Sequence, residues 1–545
     1  MTATRSLAAA VLVGGACLVG LAARGGDGTI ALEPGRRQLF LDDAVVAKIS
    51  DLQRAFHRPE KRGPVLKADV PSDGRYVSAV SAPMWIAPEG VYKLVYEARP
   101  GKDSSAAVNR YALAVSRDGV RWEKPRLGLV EFQGSTANNL FPTPDNHRLW
   151  HVVHDPDDPD ATRRYKGFIM ERGGHRPAVS GDCLHWKVES GAPLLPSGDA
   201  STLTYDRAKR RFLGVLKFDG PFGRSYNLFT SADFVHWSEP RFLFSADERD
   251  QKMAVEVIRR RLANPALAKP LFISPDPALG WQPPAAAAKY RHAETWRADE
   301  IYNLGVFPYE GLYLGWFQLF YPTGPRLPEG SNADGFNLIQ IAMSRDLKSW
   351  VRLGDRETFI GTSTLDQGLV GNYDRLQLGV TNRPVERGDE LWFYYEGMKR
   401  RVPQEDRYTD GSSRDPSTLT DLEKADWLTD TLSAIHLAVL RRDGFVSLQA
   451  DRRGGSVLTR PLRAAGKLLL VNLKAPAGSA RVEVLDGEGR AIPGFTEADA
   501  SSVTGDAARA IVRWVSGASW SDLAGRAVQL RIHLRSADLH SFWVE

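Results

Sequence analysis

Short apolar runs with strand-like alternation recur along most of the 545 residues, and the same polar turn closes one after another. VYKLVYEA and YALAVS lead into SRDGVRW (Ser116 to Trp122), RYKGFIME into SGDCLHW (Ser180 to Trp186), RRFLGVLKF into SADFVHW (Ser231 to Trp237), and LYLGWFQLFY into SRDLKSW (Ser344 to Trp350). In this pattern the aspartate carboxylate can accept hydrogen bonds from backbone amides of the turn, while the tryptophan opens the returning strand. Each copy therefore marks one hairpin. Three or four strands per copy, at intervals of roughly fifty residues or more, predict the blades of a β-propeller. A fifth, degenerate copy follows LWFYYEG: in AIHLAVLRRDGFVSL, Asp443 keeps its place and Phe445 ends the turn early. The expectation is five blades.

The rhythm breaks in three places. Between Ser231 and Ser344 the spacing doubles, because Asp247 to Pro270 has helical periodicity and WQPPAAAAKY reads as a loop. A second polar insertion runs from Arg400 to Asp430, and insertions of this size normally shape one face of a propeller. After about Gly455 the turn signature disappears, and KLLLVNLKA, ARVEVLD, ARAIVRWV and AVQLRIHLR predict a small antiparallel β-sandwich. At the other end, Arg5 precedes an apolar run from Leu7 to Ala23 that reads as a secretory signal peptide cleaved near Ala22 or Ala23. The expected organisation is all-β: signal peptide 1–24, five-bladed propeller 25–455 and β-sandwich 456–545, in a secreted or periplasmic protein.

Composition narrows the chemistry. The net charge of +5 is spread over both signs without a Lys/Arg block, so no nucleic-acid partner is expected. Cys17 falls in the signal segment and leaves Cys183 alone, which predicts neither an intrachain disulfide nor a disulfide-linked partner. No cysteine pair or HExxH spacing offers a metal site, and no cofactor is expected, with a structural calcium ion on the propeller axis left open. Oligomeric state is not readable.

A five-bladed propeller with S-x-D-x-x-x-W hairpins and a C-terminal β-sandwich resembles glycoside hydrolase family 32 and its relatives, family 43 included, over nearly the whole mature chain. The LFLDD segment is similar to the start of secreted family-32-like propeller proteins. The NDPN and EC motifs of family 32 are absent, so invertase-type fructan hydrolysis is not implied. The resemblance implies a glycoside hydrolase acting on a plant or algal polysaccharide or oligosaccharide, with two carboxyl groups near the central funnel. Resemblance to family 43 implies inversion, which calls for carboxyl groups ~6.5–9.5 Å apart where retention needs ~5 Å. The alternatives are a non-catalytic carbohydrate-binding propeller and a glycoside phosphorylase.

The resemblance directs attention to acidic residues on innermost strands. Asp42 and Asp43 in LFLDDAVV are adjacent carboxylates in an apolar strand, costly to bury without partners, and alternation puts one on each face; one of them is the expected base. Glu300 opens an aromatic-rich strand after the long insertion, where a raised pKa would suit a general acid, and a salt bridge with Arg297 or Arg291 is the competing reading. Asp155 in VVHDP is implied as the modulator of the acid, with His154 beside it. Asp199 takes the corresponding place in blade three, and Asp366 and Glu396 fall in blade five. These, with His57 and Arg75, are candidate substrate contacts, and Trp85 and Tyr302 are candidates for stacking on sugar rings.

Overall fold

The computed structural model describes residues 28–99, 110–270, 300–325, 333–365, 372–400, 421 and 431–545. The chain forms two units: Arg54–Leu448, and Met1–Gln53 together with Gln449–Glu545.

The first unit is a five-bladed β-propeller made of five antiparallel sheets. Their innermost strands are Tyr76–Ala79, Arg148–His154, Ser201–Asp206, Glu300–Tyr309 and Gln377–Val380, in chain order. The outer strand of blade five comes from far upstream. Glu60–Lys67 pairs antiparallel with Ser433–Arg441, running from Val439 opposite Glu60 to Ala434 opposite Lys67, and so closes the ring.

The repeated turn works through two acceptors. The serine hydroxyl accepts from the amide three residues on, at 2.8 Å for Gly119, 3.0 Å for Cys183, 2.8 Å for Phe234 and 2.9 Å for Leu347. The carboxylate accepts from the next two amides, as Asp233 does from Val235 at 2.9 Å and His236 at 2.8 Å. These bonds hold the residue after the aspartate in the left-handed region, with φ of 74° at Cys183, 66° at Phe234 and 61° at Leu347. Only the first copy has glycine there, so the other three depend on the bonds to offset the strain. The tryptophan that follows packs over a glycine of its own blade's second strand: a Cβ on Gly167, Gly214 or Gly315 would come within 3.3, 3.1 or 3.0 Å of Trp186, Trp237 or Trp350. In the fifth copy Asp443 itself is left-handed and its carboxylate accepts from the Tyr309 hydroxyl at 2.6 Å.

The periodicity after Asp247 forms α1, Glu248–Ala263, capped by Asp247 and Asp250 in a capping box. Arg352 reaches Asp250 at 2.6 Å and Arg356 reaches Asp247 at 2.6 Å, which fastens the helix to blade four. The WQPPAAAAKY loop, most of the Arg400 to Asp430 insertion and the signal segment lie outside the described residues.

The second unit is the β-sandwich, a curled sheet carried round by one long strand, Leu469–Leu485. The first half of that strand pairs with Ala537–Val544 and the second half with Ala527–Arg535. Its boundary corrects the expected one. Ile30–Ala31 pairs with Leu462–Arg463, and Val46–Ser50 pairs with Gly455–Thr459, so the residues before Arg54 belong here and not to the propeller. LFLDDAVV is also not one strand: Gln38–Leu39 and Val46–Ser50 flank a bend from Leu41 to Val45, and the buried Phe40 packs on Phe542.

Candidate active site

The innermost strands of the propeller start around a cavity of about 260 Å³. Blade one contributes Tyr76 and Ser78, blade two Arg148, Trp150 and His151, blade three Asp199, blade four Tyr302 and Asn303, and blade five Gly379 and Thr381. The second strands add Glu97, Arg99, Lys217, Gln318 and Glu396, each a polar residue in an otherwise apolar run. Among the described residues no group of three or more His, Cys, Asp or Glu side chains could hold a metal ion.

Glu396 stands opposite Gly379 in the register of blade five. A Cβ on Gly379 would lie 2.8 Å from Glu396 Oε2, so glycine is what leaves room for the carboxyl group. The Ser78 hydroxyl donates to Oε2 at 2.9 Å and the Tyr76 hydroxyl also bonds the group, while Oε1 is buried with no partner among the described residues. Burial pushes this carboxyl up to about 7, against the smaller opposing pull of Tyr76, Ser78 and Arg99. It titrates near neutrality.

Asp199 is set up the other way. Its carboxylate is exposed, and the nearly buried Lys217 ammonium lies 2.8 Å from Oδ1, which holds the acid well below the usual carboxylate range. Lys217 also sits over the Tyr302 ring, 4.8 Å from its centroid. One cavity therefore contains one carboxyl whose pKa is raised and one whose pKa is lowered.

The remaining charges form a clamp. Buried Glu97 pairs with Arg99 and Arg148, each at 3.0 Å; burial opposes its charge, but the two guanidinium groups outweigh it and lower its pKa. Arg99 lies over Tyr76 and Arg148 over Trp150, at 4.7 and 4.6 Å from the ring centroids. His151 occupies a bulge in blade two's innermost strand with φ of 44°. Its ring is buried with neither nitrogen partnered among the described residues, and burial pushes its pKa down to about 3, so it is a neutral imidazole. Strained backbone of this kind concentrates at functional sites.

Of the residues expected from sequence, the cavity brings together Asp199, Tyr302 and Glu396. Asp42 and Asp43 belong to the sandwich unit, where Asp42 accepts from the Ala44 amide at 3.0 Å and the Asp43 carbonyl accepts from Arg460 Nε at 3.1 Å. They stabilise a bend, and neither lines the propeller cavity. Glu300 is buried and ion-paired with Arg224, whose backbone amide also donates to Oε2 at 3.0 Å. The expected salt-bridge partners Arg297 and Arg291 lie outside the described residues, and Glu300, committed to Arg224 and off the cavity wall, is not placed as an acid. Asp155 follows the far end of Arg148–His154 and shares Lys166 with Asp158, at 3.1 and 2.7 Å, so it holds a turn. His57 bonds the Ser447 hydroxyl at 2.8 Å away from the cavity wall. Arg75 joins strands through its backbone, which receives the Leu432 amide at 2.8 Å. His154 faces a different cavity, and Asp366 lies outside the described residues. The residues missed from sequence are Glu97, Arg99, Arg148, His151 and Lys217. A charged side chain inside or ending an apolar second strand, as in VYKLVYEAR and RFLGVLKF, is the signal that marked Glu97 and Lys217.

No family model matches the chain, and no curated protein matches it. Solved structures similar to it include a fructofuranosidase variant from Schwanniomyces occidentalis complexed with fructosylnystose, with TM-score 0.37 and 10% identity over 88% of this chain and 96% of that one. A Bombyx mori GH32 β-fructofuranosidase has TM-score 0.35 and 10% identity over 88% and 93%. An endo-arabinase from Bacteroides thetaiotaomicron has TM-score 0.33 and 12% identity over 60% and 92%. The five-blade architecture rests on the strand ladders of the chain itself.

Proposed function

We propose that the propeller funnel is the active site of a glycoside hydrolase, with Glu396 as general acid and Asp199 as general base. What supports this is the pair of carboxyl groups in one cavity whose pKa values are shifted in opposite directions, one by burial and the other by the Lys217 ammonium 2.8 Å away. In the reaction Glu396 gives its proton to the glycosidic oxygen as the bond to the anomeric carbon breaks. Asp199 takes a proton from the water whose oxygen bonds to that carbon. Arg99, Arg148, Tyr76 and His151 supply hydrogen bonds to sugar hydroxyls. The proposed substrate is a plant or algal polysaccharide or its oligosaccharides, met outside the cytoplasm, and the proposed outcome is inversion.

Reducing-sugar release from a panel of such glycans tests the reading. Glu396→Gln and Asp199→Asn are each expected to lower kcat by about 10²–10⁴-fold with the fold intact, and the anomer first seen by NMR is expected to be inverted. No release by the wild type, with saturable binding of one of these glycans, would leave a carbohydrate-binding propeller. Arg99, Arg148 and Lys217 around the same cavity support phosphorolysis as a second reading, and a sugar 1-phosphate formed in phosphate buffer would identify it.

A further inference from the structure

Beyond the funnel, the innermost strands of blades one, two, three and five end around a second cavity of about 460 Å³. The two are divided at consecutive residues, since Thr381 lines the funnel and Asn382 lines the second cavity. Asn382 is buried and spans the axis, accepting from the Ala82 amide of blade one at 2.9 Å and donating to the Leu203 carbonyl of blade three at 2.8 Å. These bonds lie between the two cavities and tie blades one, three and five together there.

Its lining combines rings with one unpaired cation. Trp85 is 47% exposed, a large apolar surface to leave in water, and its ring is backed by Tyr92 at 4.8 Å between centroids. Tyr205 and His154 are backed in the same way, by Phe212 at 4.6 Å and Tyr165 at 4.9 Å. Each is a braced ring at the wall of the second cavity. Arg383 is half-buried, and its guanidinium donates from Nε to the Pro384 carbonyl at 3.3 Å; among the described residues no carboxylate comes within ion-pair distance of it. Burial lowers its pKa, and Glu386, the one group opposing that shift, is itself engaged by Arg442 at 3.2 Å. A partly desolvated guanidinium without a counter-ion is a costly arrangement that a bound carboxylate relieves, because the planar fork donates to both of its oxygens at once.

We propose that this cavity binds a uronic acid residue of a glycan, with the pyranose ring against Trp85 and the carboxylate on Arg383. The sugar class rests on the reading of the funnel as a carbohydrate site, whereas the demand for an acid rests on Arg383 alone.

Titration of the full chain with trigalacturonate, beside a neutral galactose oligomer of the same length, tests the proposal. Saturable binding of the acid is expected, at least tenfold tighter than the neutral sugar, weakened tenfold or more by Trp85→Ala and by Arg383→Gln, and unaffected by Glu396→Gln. Binding unchanged by Trp85→Ala and Arg383→Gln, binding lost only in Glu396→Gln, or equal affinity for acid and neutral sugar would each overturn it. Should Arg383→Gln fail to fold, the exposed Trp85 carries the test. Absence of hydrolysis by the wild type would overturn the funnel reading and leave Arg383-dependent binding to be scored independently.

Discussion

Glu396 owes its chemistry to residues that the chain delivers from elsewhere: the space left by Gly379, the hydroxyls of Tyr76 and Ser78, and the apolar wall of blade five. The proposed roles fix the shape of the pH profile. The acid must be protonated, so kcat/KM is expected to fall about tenfold per pH unit above about 7. Asp199 stays ionised through the ordinary carboxylate range, so the profile should lack an acidic limb near pH 4; such a limb in a stopped assay would remove Asp199 from the role of base. Stability carries the same signature. The folded pKa of Glu396 lies above its ordinary 4.5, so its contribution is fully present below pH 4.5 and is lost as pH rises through about 7. Urea titrations should show about 3 kcal/mol less pH-linked loss in Glu396→Gln than in the wild type. Both carboxyl groups were legible in the sequence as candidates, but their roles were not, because Ser78 reaches Glu396 from a strand far away in the chain and Lys217 reaches Asp199 only through the register of its hairpin. Asp42 and Asp43 misled for a related reason. Apolar neighbours such as Phe40 announce burial, and the pattern cannot say in which of two cores.

The turns show what a repeated local pattern can and cannot fix. Serine and aspartate at set offsets specify the hairpin from within seven residues, so four blades were readable directly and the fifth from its remaining aspartate. The partner of the tryptophan was equally visible once understood, since RYKGFIME, RRFLGVLKF and LYLGWFQLFY each carry one glycine beneath it. Gly214→Ala is expected to cost about 1–3 kcal/mol, because the new methyl meets Trp237 at 3.1 Å and Phe168 at 3.3 Å. Gly361→Ala, whose Cβ would meet only Thr358 at 3.5 Å, should stay within about 0.5 kcal/mol, with urea midpoints comparing the two. The closing strand was illegible. EKRGPVLK holds glycine, proline and four charges, the composition of a loop, and only an edge position beside Ser433–Arg441 makes it a strand.

At the level of the whole molecule, the ring of the propeller depends on that edge. Leu66 is buried in the core shared by blades one and five, so Leu66→Ala is expected to cost about 2–5 kcal/mol and to shift a single cooperative transition of the propeller in calorimetry. A loss confined to local exchange at Glu60–Lys67 would mean that the strand is an appendage. The five blades and the terminal sandwich were legible as architecture, and the assignment of the first residues to the sandwich was not, since their partners lie about four hundred positions downstream. That pairing also sets a schedule. Val46–Ser50 has nothing to pair with until Gly455–Thr459 exists, and Glu60–Lys67 waits for Ser433–Arg441. At ~5–20 residues per second the wait is roughly 20–80 s. The earliest strands to be synthesised are the last to find their places, and for that interval the nascent chain must keep two open edges from finding any other.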